Sequence, residues 1–325
     1  MSPEPLEFEE PIAALLKEID ALNALPLTDA RERQVETLRR RIDTVRRDLY
    51  ASLTPWQRVL VARHPERPCL DDFIKLLFTG FVEIHGDRRF ADDHAIMTGY
   101  AQYKGQPVLL VGHVKGRDTK DKIYRNFGYA RPEGYRKALR AMRLAEKFRR
   151  PIIVFVDTPA AYPGIESEER GVAEAIAVNL RDMILIDAPI LVIISGEGGS
   201  GGALGIAVGD RVLMQEFAIY SVIPPEGCAA ILWRDSAKKV EAADALKLTA
   251  PDLLKAGIID EIVPEPIGGA HTDIASAAER LDHALVRALT EISALDGPTR
   301  LDLRYEKFRR MGRLGVDFVD EAAEG

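Results

Sequence analysis

The chain has 325 residues, 46% of them hydrophobic, enough for a sizeable buried core in one large domain or two ordinary ones. A formal net charge of −7 excludes the protein-wide basic field that draws nucleic acid or anionic membrane, and no run of 18 apolar residues or secretory apolar stretch occurs. The two cysteines, Cys69 and Cys228, are far apart and the six histidines form no HExxH or short-spaced pair, so the sequence reads as a reducing, cytoplasmic setting with no zinc site built from this chain alone.

Ile12, Leu15, Leu16, Ile19 and Leu22 follow helical spacing, Pro26 and Thr28-Asp29 break and restart the chain, and Val35, Leu38, Ile42, Val45 and Leu49 form a second apolar stripe. This pair reads as a helical hairpin, suited either to packing on its own domain or to subunit contact. From Ile96 the pattern alternates strands and helices. Met97 to Tyr103 and Pro107 to Gly112 form a hairpin about Lys104-Gly105-Gln106. A helix follows around Pro132 to Phe148, then a strand Ile152 to Val156, a helix Glu168 to Met183 and a strand Ile190 to Ile194. Strands at Val212 to Gln215 and Ala218 to Ile223 precede a helix that starts at Thr249 and Pro251 and ends at Gly257. A strand Ile258 to Val263 and C-terminal helices from about Thr272 close the order, and the tail after Gly315 is expected to fray. Strands separated by helices imply βαβ units with right-handed crossovers.

After the strand Ile190 to Ile194 comes Ser195-Gly196-Glu197-Gly198-Gly199-Ser200-Gly201-Gly202-Ala203-Leu204, read as strand, glycine-rich turn and helix. Seven glycines between Gly196 and Gly209 are too many for helix stability, at roughly 0.8 to 1 kcal/mol each relative to alanine. Positive φ, or close approach of bare backbone N–H groups to an anion or developing oxyanion, explains such a cluster. A packing role, letting helix and sheet approach, is the structural alternative. Gly196, Gly198 and Gly201 also satisfy a dinucleotide fingerprint with Glu216 about 20 residues on, but the helix before Gly209 is short for a Rossmann unit and no Gly-Lys-Ser/Thr supports a P-loop.

Two further loops follow strands: Asp157-Thr158-Pro159-Ala160-Ala161-Tyr162-Pro163-Gly164, and Ser221 to Cys228. Ligands of α/β sheets gather at the carboxyl ends of strands, so three such loops point to one crevice. Cys228 has no nearby histidine and reads as a small buried hydrophobe. The basic segment Lys115, Arg117, Lys120, Lys122 and Arg125 is by default a solvated charge run, with an anionic group or partner surface as the alternative. Asp87, Asp92 and Asp93 match no calcium loop and suit turn or capping roles.

The ordered succession Gly112-His113-x-Lys115-Gly116-Arg117, Arg125-Asn126-Phe127-Gly128, Pro132-Glu133-Gly134-Tyr135-Arg136-Lys137-Ala138, the Asp157 to Gly164 turn, Glu197 to Ala203, and Ser221 to Trp233 closely resembles the alpha-subunit family of bacterial-type acetyl-CoA carboxylase carboxyltransferases, from Phe8 to about Met311. The resemblance implies a crotonase-like ββα superhelix with an N-terminal helical hairpin and C-terminal helices. It divides the chain into an N-terminal extension (1–75), a carboxyltransferase core (76–265) and a C-terminal helical region with tail (266–325).

It also implies transfer of a carboxyl group from carboxybiotin to acetyl-CoA, giving malonyl-CoA in the first committed step of fatty acid synthesis. The implied assembly is an α2β2 heterotetramer whose beta subunit carries zinc and binds acetyl-CoA. This acts with a biotin carboxyl carrier protein and an ATP-using biotin carboxylase; no metal, membrane or nucleic acid is implied for this chain. By the resemblance, Gly201 and Gly202 form the backbone oxyanion hole for the biotin ureido oxygen. Gly198 and Gly199 shape the turn, and Ala160, Ala161, Tyr162, Pro163 and Gly164 bind substrate. The chain departs from the family at Ala160, where glycine is usual, and at Pro224, where serine is usual. A crotonase-like hydratase, with Glu197 and Glu226 as the loop acid/base candidates, and a non-catalytic scaffold of the same fold are the competing readings.

Overall fold

The structure is a computed structural model that describes residues 5–26 and 28–312. Among the described residues eight strands form one mixed sheet: β1 (Thr79–Glu83), β2 (Ile96–Tyr103), β3 (Gln106–His113), β4 (Ile152–Thr158), β5 (Ile190–Gly199), β6 (Arg211–Gln215), β7 (Ile219–Ser221) and β8 (Glu261–Val263). Their order is β1-β2-β3-β4-β5-β6-β8, with β7 paired to β5 off this path. The β1-β2 and β2-β3 pairs are antiparallel and the rest are parallel. Tyr103 faces Gln106 across a two-residue turn in which Lys104 and Gly105 both have positive φ (47° and 81°), the backbone twist that a tight hairpin requires.

β4 and β5 are unbroken apolar runs because both faces of these parallel strands are covered. On one face Leu109, Val111, Ile152, Val154, Ile190 and Val192 pack with Tyr135, Ala138 and Met142 of helix Pro132–Lys147 and Ala175 of helix Val172–Met183. On the other, Leu110, Ile153, Phe155, Leu191 and Ile193 meet Leu70 and Phe73 of helix Leu70–Leu77 and Leu281 and Leu285 of helix Ile274–Ser293. Alternate residues of each strand thus serve opposite layers. The N-terminal helices Glu10–Asn23 and Asp29–Ala51 bury Ile12, Ile19, Val35, Leu38 and Ile42 against each other, and the Tyr50 ring stands edge-on to Phe217.

The expected hairpin, strands and C-terminal helices are present, with local differences. The helix expected from Glu168 to Met183 is two, Ile165–Glu169 and Val172–Met183, separated at Gly171, whose φ of 76° no helix accommodates. The strands expected at Ala218 to Ile223 and Ile258 to Val263 contract to β7 and β8. Short helices Pro55–Ala62, Thr119–Tyr124, Pro225–Trp233 and Lys239–Ala245 give too few turns for a periodic signal and were not anticipated. The tail after Gly315 lies outside the described residues. Among the described residues no helix is long and apolar enough to cross a membrane.

Candidate functional site

The glycine-rich segment differs from the expected strand-turn-helix. β5 does not stop at Ile194 but runs to Gly199, because its outer half pairs with β7: Glu197 with Ile219, Gly198 with Tyr220, Gly199 with Ser221. The turn shrinks to Ser200, at φ 51°, and the following helix is only Ser200–Leu204. A Rossmann unit is excluded, since no long crossover helix follows the fingerprint. Glu216 is occupied in any case, accepting from the Glu265 backbone N–H at 3.0 Å.

Between β4 and β5 the register shifts: Val156 pairs with Ile194, but Thr158 pairs with Gly198. The residues displaced by this bulge, Ser195 to Glu197, stand beside Asp157, whose Oδ1 accepts the Glu197 backbone N–H at 2.9 Å. The same oxygen accepts from Lys115 Nζ at 2.6 Å, and Lys115 reaches Glu197 Oε2 at 2.8 Å. On its other side Glu197 is paired with Arg63, which also reaches Glu226 at 2.6 Å. Burial alone would raise the Glu197 carboxyl, but the charges of Lys115 and Arg63 outweigh it and bring it down to about 2. Burial likewise opposes the Lys115 charge, and Asp157 and Glu197 overcome it, holding the ammonium above its ordinary range.

The default reading of Lys115 as a solvated residue is therefore corrected: its side chain is 22% exposed and closes a charge network between the ends of β3, β4 and β5. Arg117 pairs with Asp72 and Arg125 with Asp121, while Lys120 is exposed. Arg63 was not anticipated, for it lies in one of the short helices' trailing turns with no motif around it.

The three strand-end loops do meet. Arg63, Pro159, Gly198, Gly199, Ser221 and Pro224 line one cleft. Added side-chain atoms show what the glycines are for. A Cβ on Gly199 would overlap the Pro159 carbonyl and one on Gly202 the Ala160–Ala161 peptide, so both are required for the two loops to touch. Gly201 is different: its Cβ would meet only Ile176 Cδ1, at 3.5 Å. Close packing thus accounts for Gly199 and Gly202 by itself but leaves Gly201 without a packing reason.

Ala160 does not take positive φ, which explains why alanine is accommodated there. Its carbonyl and that of Gly128 both lie within reach of the Thr158 hydroxyl, at 2.8 and 2.7 Å. Tyr162, Pro163 and Gly164 stand further along the loop: Tyr162 N–H donates to Ala130 and its ring lies under the Arg131 guanidinium, 5.2 Å away, while Pro163 is exposed. Pro224 stands at the N-cap position of helix Pro225–Trp233 without a capping side-chain hydrogen bond, and Ser221 Oγ donates to the Ile223 carbonyl at 2.8 Å, so the loop closes without the hydroxyl usual at 224. Cys228 is buried. Asp87, Asp92 and Asp93 accept backbone N–H groups of their own turn, and Asp93 also that of Arg131. Behind the glycine segment, burial, and after it the charge of Lys115, takes His113 down to about 3.

Residues 5–312 match the family described as acetyl co-enzyme A carboxylase carboxyltransferase-like. The chain is 57% identical over 309 residues to the acetyl-coenzyme A carboxylase carboxyl transferase subunit alpha of Geobacter metallireducens, covering 95% of this chain and 97% of that one. It is 53% identical to the protein of that name from Thermosynechococcus vestitus, over 94% and 95% of the two chains. Among solved structures, a Pseudomonas malonate decarboxylase hetero-tetramer in complex with coenzyme A is similar with a TM-score of 0.55 at 19% identity, covering 68% of this chain and 91% of that one. Transcarboxylase 12S gives a TM-score of 0.54 at 19% identity over 68% of this chain and 41% of that one, so the shared part is less than half of that protein. These likenesses bear on the fold, and the crotonase-like architecture expected from the sequence holds. With the family match running through both ends of the sheet and every loop of the cleft, the chain belongs to the acetyl co-enzyme A carboxylase carboxyltransferase-like family.

Proposed function

We propose that this chain is the alpha subunit of an acetyl-CoA carboxylase carboxyltransferase, which transfers the carboxyl group of carboxybiotin to acetyl-CoA to form malonyl-CoA for fatty acid synthesis. The observation that carries the reading is Gly201: a glycine with no packing reason, in the first turn of helix Ser200–Leu204, where backbone N–H groups lack intrahelical acceptors. Gly201 and Gly202 supply two such donors for the ureido oxygen, and a Cβ on Gly201 would make only an ordinary contact, with Ile176 Cδ1 at 3.5 Å. Gly199, pressed on Pro159, and Gly198, pressed on the Tyr220 ring, fix the segment, and Ala160 and Ala161 form the floor under Gly202. Tyr162, Pro163 and Gly164 complete the substrate loop at its outer end.

Carboxybiotin supplies the carboxyl group, and its ureido nitrogen, once free, supplies the base. The chain's own part is electrostatic. Donors fixed before the reaction meet charge that develops on the ureido oxygen, and a single such donor is worth about 2.7 to 4 kcal/mol elsewhere. A hydratase needs a carboxyl group that exchanges protons in the cleft. Glu197 is held ionised by Lys115 and Arg63, and Glu226 is paired with Arg63, which favours carboxyl transfer over hydration.

The reading extends to an α2β2 assembly with a zinc-bearing beta subunit that binds acetyl-CoA, working in the cytoplasm with a biotin carboxyl carrier protein and biotin carboxylase. We place the N-terminal extension at 1–75, the catalytic core at 76–265 and the C-terminal region at 266–325. The test is reconstitution: this chain with a beta partner decarboxylates malonyl-CoA in the presence of free biotin, and alone it does not. Full activity from the single chain, or hydration of enoyl-CoA by it, overturns the proposal.

A further inference from the structure

We propose that Lys115 is a positioning residue for the glycine segment, setting through Asp157 where the Gly201 and Gly202 N–H groups stand. This rests on the oxyanion-hole reading above. The Lys115 ammonium lies where three strand ends converge, 2.6 Å from Asp157 Oδ1 and 2.8 Å from Glu197 Oε2. Asp157 Oδ1 also accepts the Glu197 backbone N–H, so one carboxylate oxygen ties the lysine directly to the β5 backbone. That bond sits at the register shift between Val156/Ile194 and Thr158/Gly198, where the ladder pairing of the two strands is interrupted. Five residues beyond Glu197 is Gly202, already in contact with the Ala160–Ala161 peptide.

The lysine is itself held from behind. Asn126, Phe127 and Gly128 have φ of 47°, 54° and 80°, three consecutive left-handed residues. Such backbone, costly by about 1–3 kcal/mol per non-glycine residue, persists only where surroundings over-determine it. Gly128 lies on the lysine stem, where a Cβ would come 2.8 Å from Lys115 Cγ, and its carbonyl lies 2.7 Å from the Thr158 hydroxyl. The strained loop therefore presses the lysine onto the two carboxylates. Glu197 keeps Arg63 as a second cation, whereas among the described residues Lys115 is the cation in contact with Asp157.

The test uses the full chain assembled with its beta partner, comparing wild type with Lys115→Met and Lys115→Arg by amide hydrogen exchange and by steady-state kinetics. In Lys115→Met, exchange rises at least tenfold in residues 157–164 and 195–204 and is unchanged in helix Ile274–Ser293. The kcat falls tenfold or more while the KM for the CoA substrate stays within twofold. Lys115→Arg, which keeps the charge, recovers part of both. Unchanged exchange in the two segments overturns the proposal, as does raised exchange with a normal kcat. If Lys115→Met does not fold, Asp157→Asn, which keeps the acceptor for the Glu197 N–H but weakens the lysine contact, is expected to raise exchange in the same two segments, and its failure to do so counts equally against the proposal. A wild-type assembly that carries out no carboxyl transfer overturns the function proposed above, while the exchange measurement still decides whether Lys115 positions the segment.

Discussion

Gly202 lies flat against Ala160, whose peptide occupies the place a side chain on residue 202 would need, whereas a Cβ on the adjacent Gly201 would meet only the Ile176 methyl, at 3.5 Å. Neighbouring glycines in one short helix thus answer to different constraints. Gly202→Ala is expected to destabilise the chain by about 1–3 kcal/mol, the usual range for overpacking, while Gly201→Ala leaves thermal stability unchanged or raises it slightly. Chemical denaturation of both variants checks this, and equal losses would remove the distinction.

In the proposed site, Gly201→Val sets a branched side chain beside the backbone N–H assigned to the ureido oxygen. In the assembled enzyme kcat should fall by about two orders of magnitude or more, the effect of losing one fixed donor. The KM for acetyl-CoA or malonyl-CoA should change little, since those contacts belong to the beta chain in the proposed assembly. Circular dichroism and partner binding establish that the variant is folded before rates are compared. Near-normal kcat would remove the oxyanion-hole assignment of Gly201.

His113 makes stability depend on pH with a defined sign. Burial takes its folded-state value from 6.5 down to about 3, so the unfolded chain takes up a proton below pH 6.5 that the folded chain refuses. Its contribution is fully present above pH 6.5 and is lost progressively as pH falls toward 3. At pH 5 the loss relative to pH 7 is about 2 kcal/mol from this residue. His113→Met should flatten the stability profile between pH 7 and 5 by that amount, measured by urea denaturation at each pH. A slope identical to wild type would show that the ring is hydrated or already charged.

Arg304, wholly buried, donates to both oxygens of Asp210 at 2.8 Å and to the carbonyls of Met183, Ile186 and Ala188. Removing it leaves the Asp210 carboxylate without its cation, with, among the described residues, only the Ile190 N–H still donating to it at 2.7 Å, and takes a donor from three carbonyls at the seam between helix Gly297–Arg310 and the sheet. Arg304→Met is expected to cost about 3–5 kcal/mol. Arg304→Lys should recover little, because an ammonium lacks the planar fork that reaches all these acceptors. Denaturant midpoints of the two variants decide it.

Deleting residues 1–50 should weaken assembly more than it weakens the sheet core. Ile12, Ile19, Val35, Leu38 and Ile42 are buried among themselves, and Tyr50 on Phe217 is one of the contacts that bind the hairpin to the rest. Size-exclusion mass with the beta partner, set beside the melting temperature of the lone chain, separates the two effects. An unchanged heterotetramer would make the hairpin local packing only.

The sheet core was legible in the sequence because its signal is local. The runs at Ile152 to Val156 and Ile190 to Ile194 are apolar at every position, as strands covered on both faces must be, and each ends in a loop whose composition declares a backbone constraint. The family motifs were legible for the same reason: each is a contiguous string. The short helices were not, since five to nine residues give too few turns to show a period, nor was the run of β5 through Gly199, which depends on its pairing with β7.

The amino-acid sequence by itself determined which segments form the strand-end loops of the cleft and how densely glycine is used there. Tertiary structure decided what each residue does. Glycines 199, 201 and 202 look alike in the sequence, and only the arrival of Pro159 and Ala160 against two of them separates packing from open space. Arg63 and Lys115 stand 134 and 82 residues from Glu197, yet both end on its carboxylate. Charge pairing acts over a few ångströms and depends on strand order and register, so no local pattern in the chain records it.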